Sequence, residues 1–169
     1  MNLRRHRFAV VVACTAALLA SACGKKAPEP VPPALTIAAA ANARVKSAMT
    51  IAASADANPD GTGRPSPVVV RVYQLRTDAA FTSADFFALY DDDQKVLGQE
   101  LISRDEFTLA PSESRVIDVT VSGDTRFVGA IAAFRDIRNA QWRTAVAAVP
   151  EKAMTVAVER TRVVLTVAP

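Results

Sequence analysis

The sequence predicts a mainly β protein: a two-sheet sandwich of about eight short strands, with one short helical insertion around residues 82–101. Three observations carry this. Runs rich in Val, Ile and Thr recur at short spacing from residue 47 to the end. Several of them alternate apolar and polar side chains with the two-residue period of a half-buried strand. Clusters of Asn, Asp, Gly, Pro and Ser separate the runs, and these are the residues that turns require. The size agrees, because 169 residues suffice for one core. Half the residues are hydrophobic and 22% are charged, a composition that excludes wholesale disorder.

The chain opens with an export signal. Arg4, Arg5 and Arg7 precede an uncharged run at 8–20, and Ser21 and Ala22 follow. A basic start, a short apolar core and small residues at a cut site assign residues 1–22 as a signal peptide. The apolar run is shorter than the roughly 20 residues a membrane-spanning helix needs. Leu19-Ala20-Ser21-Ala22-Cys23 resembles a bacterial lipobox, with its leucine one place further from the cysteine than usual. The resemblance makes Cys23 the first mature residue, carrying a diacylglycerol and an N-acyl chain; no other cofactor is expected. Gly24 stands where lipoproteins retained at the inner membrane typically have Asp, which implies sorting to the outer membrane. Without lipid, ordinary cleavage after Ala20-Ser21-Ala22 would leave Cys23 as a thiol with no disulfide partner, since Cys14 leaves with the signal. Cleavage also removes three arginines and no acidic residue. The net charge of +3 therefore disappears, and with it any electrostatic case for nucleic acid.

Residues 23–46 read as a Pro/Ala-rich tether. Four prolines between 24 and 34 favour an extended, semi-rigid chain. The Ala-rich part, 35–46, fits a short helix, a first strand or more linker. The sandwich domain is assigned to 47–169. SAMTIAAS (47–54) is the first strand, and 55–67 is a loop dense in Asn, Pro, Asp and Gly. VVVRVYQL (68–75) is apolar on both faces except at Arg71, so a central strand with cover on its outer face is expected. Thr82 is placed as the cap of a helix running to Tyr90, with Asp85 at its third position and Phe81 and Phe86 at hydrophobic-staple spacing. Asp91-Asp92-Asp93 ends this helix and caps another that reaches about Leu101. The insertion is expected to lie across one sheet and bury Phe86, Leu89 and Leu97.

Six further strands are predicted near 104–109, 114–121, 126–135, 141–148, 152–159 and 161–167. Pro111-Ser112, Ser122-Gly123-Asp124, Pro150-Glu151 and Glu159-Arg160 supply the turns. Hairpin and Greek-key connections would join them into the two sheets.

Little in this chain suggests catalysis or a metal. The one His is His6, inside the signal, so the mature chain lacks the commonest general base and metal ligand. Ser66 and Ser83 have neither a His partner nor a nucleophile-elbow sequence. Asp91, Asp92 and Asp93 lack the spacing of a calcium loop and read as helix caps on a solvated face. No catalytic residue and no metal site are expected. Arg135-Asp136 is read as an ion pair at a strand end. Trp142 with Arg143 fits an interface anchor as well as a residue packed under the sandwich edge.

Several phrases in order then carry a resemblance. They are Asn58-Pro59-Asp60 with Gly63-Arg64-Pro65-Ser66-Pro67, VVVRVYQL (68–75), Phe81 with ADFFALYDDD (84–93), Leu97-Gly98, Arg104 to Pro111, Val128-Gly129 with AFRD (133–136), and Trp142-Arg143. Together, over about 47–167, they resemble the TssJ (SciN/VasD) family of outer-membrane lipoproteins of type VI secretion systems. The resemblance implies a transthyretin-like sandwich of two four-stranded sheets. It implies an anchor in the inner leaflet of the outer membrane, facing the periplasm. It implies binding to the C-terminal periplasmic region of the inner-membrane protein TssM, within a TssJ–TssL–TssM membrane complex. The resemblance implies that the loop between the first two strands contacts TssM; it maps here to 55–67, with the contact made by its compact portion Asn58, Pro59, Asp60, Gly61, Thr62, Gly63 and Arg64. Two other readings of a periplasmic lipoprotein stand beside it: a carrier for a small ligand or lipid, and an assembly chaperone with a strand-donating edge.

Overall fold

A computed structural model describes residues 44–169; the signal, Cys23, Gly24 and most of the tether lie outside them. Eight strands form two four-stranded sheets. They are β1 (Arg44–Ala53), β2 (Val68–Leu75), β3 (Leu101–Leu109), β4 (Ser114–Ser122), β5 (Phe127–Ala132), β6 (Arg143–Ala147), β7 (Met154–Val158) and β8 (Val163–Val167). One sheet has the order β4-β1-β7-β8 and the other β3-β2-β5-β6. Neighbours are antiparallel except β1 and β7, which run parallel. The mainly β sandwich of about eight strands is thus present.

The first strand begins at Arg44, not at 47. Its leading residues pair with the end of β4, Arg44 opposite Ser122 and Lys46 opposite Thr120. The sandwich therefore takes in residues that an Ala-rich composition had assigned to the tether. The strands predicted at 126–135 and 141–148 are shorter, because the chain leaves the sheet at Ala132 and returns at Arg143.

Alternation places one face of every strand in the space between the sheets. Met49 and Ile51 from β1, Val68 and Val70 from β2, and Val156 from β7 are almost wholly buried there. Burying such side chains contributes about 1.5–3 kcal/mol each. Gln74 continues the inward series of β2 but is polar. Its Nε2 donates to Thr120 O at 3.0 Å, and its Oε1 accepts from the Ser122 N–H and the Thr125 hydroxyl at 3.1 and 3.0 Å. A buried amide with these partners is satisfied and clips β2 to the edge strand of the opposite sheet.

The outward face of β2 explains the insertion. Tyr73 and Leu75 point away from the sandwich core, and with Ile131 they are buried under Phe81, Leu89 and Leu97. The covering segment comprises α1 (Ala79–Ser83), α2 (Phe86–Asp91) and α3 (Asp93–Leu97), followed by a 3₁₀ turn at Gly98–Glu100. The Phe81 ring lies directly on Gly129 of β5. A Cβ there would meet Phe81 Cζ at 2.7 Å, so only glycine lets the ring seat.

The caps differ from the expectation. Thr82 lies inside α1, where its hydroxyl donates to Asp78 O at 2.7 Å. Asp85 is itself the cap of α2, its Oδ1 accepting the Ala88 N–H at 3.0 Å. Phe81 and Phe86 therefore belong to different helices and form no staple, and Phe86 is only half-buried. Asp92 caps α3 by accepting the Lys95 N–H, as the Asp run suggested. The helix it caps ends at Leu97, because Gly98 takes φ 50 there.

Asp93 overturns the solvated-face reading. It is 3% exposed, accepts from Arg104 Nη1 at 2.7 Å and from the Tyr73 hydroxyl at 3.3 Å, and lies 3.8 Å from Arg71 Nη1. Burial pushes the Tyr73 phenol up, so it stays a donor to this carboxylate. Arg71, the lone charge on an apolar strand, is used here: it also bonds Glu106 and Tyr90 O and stacks 4.1 Å from the Tyr90 ring.

Candidate docking surface

Antiparallel alternation sends four connections to one end of the sandwich: 54–67, 110–113, 133–142 and 159–162. Arg44 marks the other end of β1. With a rise of about 3.3 Å per residue, the ten residues of β1 separate the two ends by about 30 Å.

The β1–β2 loop is built from two polar devices. Asn58 adopts φ 50, which Asn tolerates better than most residues, and is 3% exposed. Its Nδ2 donates to Pro67 O at 2.6 Å, closing the base of the loop. Its Oδ1 accepts the Arg135 N–H at 2.8 Å, and its own N–H donates to Arg160 O at 3.0 Å. One asparagine thus binds three connections together.

Beyond it, Asp60 folds the tip. Its Oδ1 accepts from the Thr62 N–H, the Thr62 hydroxyl and the Arg64 N–H at 2.9, 2.7 and 3.0 Å. Its backbone N–H donates to Arg64 O at 2.8 Å, and Gly63 supplies the φ of 84 that the turn needs. The Thr62 hydroxyl foremost, then the two backbone N–H groups, hold the Asp60 carboxyl down at about 2. Arg64 reaches back to Asp60 Oδ2 at 3.2 Å, yet its side chain is 80% exposed. An exposed pair of this kind adds little stability.

The seven predicted loop residues therefore separate into two groups. Asn58 is internal: its side chain is spent on holding the loop. Pro59 and Asp60 are half-buried, and Gly61, Thr62, Gly63 and Arg64 are exposed. A cleft of about 470 Å³ lies beside them, lined by Pro59, Asp60, Gly61, Arg135, Asp136, Arg160 and Thr161. Arg135, Asp136, Arg160 and Thr161 are not singled out as loop partners by sequence, because they come from connections more than 70 residues away. The expected Arg135–Asp136 ion pair does not form; Asp136 instead accepts from Asn139 Nδ2, and the Arg135 side chain is exposed. Next to the cleft, Arg160 approaches Asp56 at 3.8 Å and Arg162 bonds Glu159. The Arg162 guanidinium holds the Glu159 carboxyl below its usual range.

Trp142 borders this end. It is half-buried, packs against both apolar clusters, and stands edge-on to Phe86 at 5.3 Å. Arg143 lies 4.6 Å over its ring and donates to Phe81 O and Ala84 O at 2.8 Å each. Both residues thus lock the insertion to β6. Among the described residues no group of three or more His, Cys, Asp or Glu could hold a metal ion. No helix among them is long and apolar enough to cross a membrane.

Comparison with known proteins places the chain. Residues 46–163 match the family model T6SS-SciN, described as type VI secretion lipoprotein, VasD, EvfM, TssJ, VC_A0113. The chain belongs to this family. It is similar to the type VI secretion lipoprotein TssJ1 from Pseudomonas aeruginosa, at 32% identity and a TM-score of 0.71, over 75% of this chain and 98% of that one. It is similar to a chain in a structure described as a type VI membrane complex, at 28% identity and a TM-score of 0.63, over 74% and 98%. It is also similar to a chain in a structure described as the TssM C-terminal domain (869–1107) from EAEC, at 27% identity and a TM-score of 0.60, over 74% and 98%. No curated protein matches. The two four-stranded sheets are those of a TssJ-family sandwich, and the chain is a type VI secretion lipoprotein by family.

Proposed function

We propose that this chain is a non-enzymatic structural lipoprotein that ties a type VI secretion membrane complex to the outer membrane. Lipid on Cys23, with Gly24 as its sorting neighbour, holds it in the inner leaflet facing the periplasm. The Pro/Ala-rich tether, shortened to 23–43 by the start of β1 at Arg44, lifts the sandwich off the bilayer. The end bearing Gly61 to Arg64, Arg135 and Arg160 binds the periplasmic C-terminal region of TssM, within a complex that also contains TssL.

The observation that carries the docking part is the locking of three connections by Asn58 at the end of β1 opposite Arg44. A surface fixed before binding loses little entropy on binding, which favours affinity. The end that carries it is also the one farthest along β1 from the tether. The likeness to chains in structures named for a type VI membrane complex and for the TssM C-terminal domain supports the choice of partner. Met49, Ile51, Val68, Val70 and Val156 pack the middle of the space between the sheets, and the clefts of about 450 and 250 Å³ at its β3/β4 edge are bordered by polar residues such as Gln74, Ser103 and Thr120, which supports docking over carriage of an apolar ligand.

The test is fractionation with co-purification. The wild-type chain is expected in the outer-membrane fraction, bringing TssM with it from detergent extracts. Cys23→Ser is expected to remain folded but soluble in the periplasm. Membrane association of Cys23→Ser equal to wild type would overturn the anchor, and extraction of wild type without TssM would overturn the partner.

A further inference from the structure

We propose that the solvent face of α2 is a second protein-docking surface, centred on Phe87 and fitted to an apolar pocket rimmed by Lys or Arg. Phe87 is 61% exposed, the only large aromatic side chain among the described residues left that far in water. It is not a loose side chain. Its ring stands edge-on to Phe86 at 5.4 Å; Phe86 stacks on Tyr90 at 5.2 Å and meets Trp142 at 5.3 Å. The cations behind this platform are themselves fixed, Arg71 to Tyr90 O and Arg143 to Phe81 O and Ala84 O. A projecting aromatic on a rigid base has the character of an interface anchor, because burying it immobilises few additional groups.

The charges around it specify the occupant. Asp85, Asp91 and Asp92 are exposed at the two ends of α2, Asp91 one turn from Phe87, and Lys95 is the only cation between residues 78 and 97. This acidic border complements a basic rim. It disfavours insertion into an anionic bilayer, whose headgroups would be repelled. Through Phe86 and Trp142 the platform is continuous with the connection 133–142 that lines the loop cleft. One partner can therefore span both, and the inference rests on the docking reading above: the occupant is the same TssM periplasmic region.

The test uses the lipidated full-length chain in detergent and the purified TssM C-terminal periplasmic region of the same genome. Phe87→Asp is expected to weaken binding by at least about tenfold, and Phe87→Leu by less than about threefold. Thermal midpoints should stay close to wild type, since the replaced ring is exposed. A benzophenone side chain placed at position 87 in intact cells should cross-link to that region. Absence of binding by the unaltered chain overturns both readings. Binding that survives Phe87→Asp, or cross-links to lipid alone, overturns this inference and leaves the loop site standing.

Discussion

Asn58 Oδ1 accepts the backbone N–H of Arg135 at 2.8 Å, across 77 residues of sequence. The same side chain closes its own loop through Pro67 O. Replacing Asn58 with Ala leaves two backbone groups without their partner and puts a residue less suited to φ 50 at that position. The expected loss is about 2–4 kcal/mol, read as a lower urea midpoint with an unchanged slope. Asn58→Asp keeps the acceptor for Arg135 but sets a buried carboxylate oxygen against Pro67 O, so at neutral pH it should cost at least as much as Ala.

The loop tip should be insensitive to mild acid. Asp60 is held at about 2, below its ordinary 3.8, because the folded loop bonds the charged form. A depressed folded value means that its contribution is complete above about pH 4 and fades as pH falls through about 2. Carboxyl carbon shifts of Asp60 should therefore titrate near pH 2. The amide signals of Thr62 and Arg64 should keep their folded positions at pH 4 and move only with that titration. A midpoint near 4 would contradict the bonding of the tip.

The insertion should depend on one buried carboxylate. Asp93→Ala strands Tyr73 and leaves Arg71 and Arg104 without their shared partner. Removing one member of a buried pair costs about 3–5 kcal/mol. Because Arg104 is partly exposed, the lower end is expected, about 3 kcal/mol, by denaturant unfolding. Hydrogen exchange should show earlier opening at Tyr90 to Leu97 than in the sheet that lacks the insertion.

The sequence foretold the sandwich because its warrant is local. Alternation in Ile117, Val119 and Val121 marks an inner face without knowing what it packs on, and the β4 pattern bears this out. The two apolar faces of VVVRVYQL announced a cover before any helix was located, and Tyr73 and Leu75 do lie under one. Helix caps were less legible. Thr82 and Asp85 are both good cap types three residues apart, and the choice fell to tertiary packing of Phe81 on Gly129. Asp93 was misread for a similar reason: its neighbours Asp91 and Asp92 are exposed, and only β2 and β3 bring Arg71 and Arg104 to it. At the candidate site, the loop was visible as a turn-rich segment. Asn58's role and the contribution of Arg135 and Arg160 were not, since each depends on strand register set by distant residues.

The central claim is that the end bearing Arg64 and Arg135 binds the periplasmic C-terminal region of TssM. Titration calorimetry with that region from the same genome, against the wild-type chain and the Arg64→Glu, Arg135→Glu double variant, tests it most directly. Both side chains are exposed, and the Arg135 backbone bond to Asn58 does not depend on its side chain. The account predicts a fold-preserving loss of affinity of at least about tenfold. Equal affinities for the two chains would contradict it.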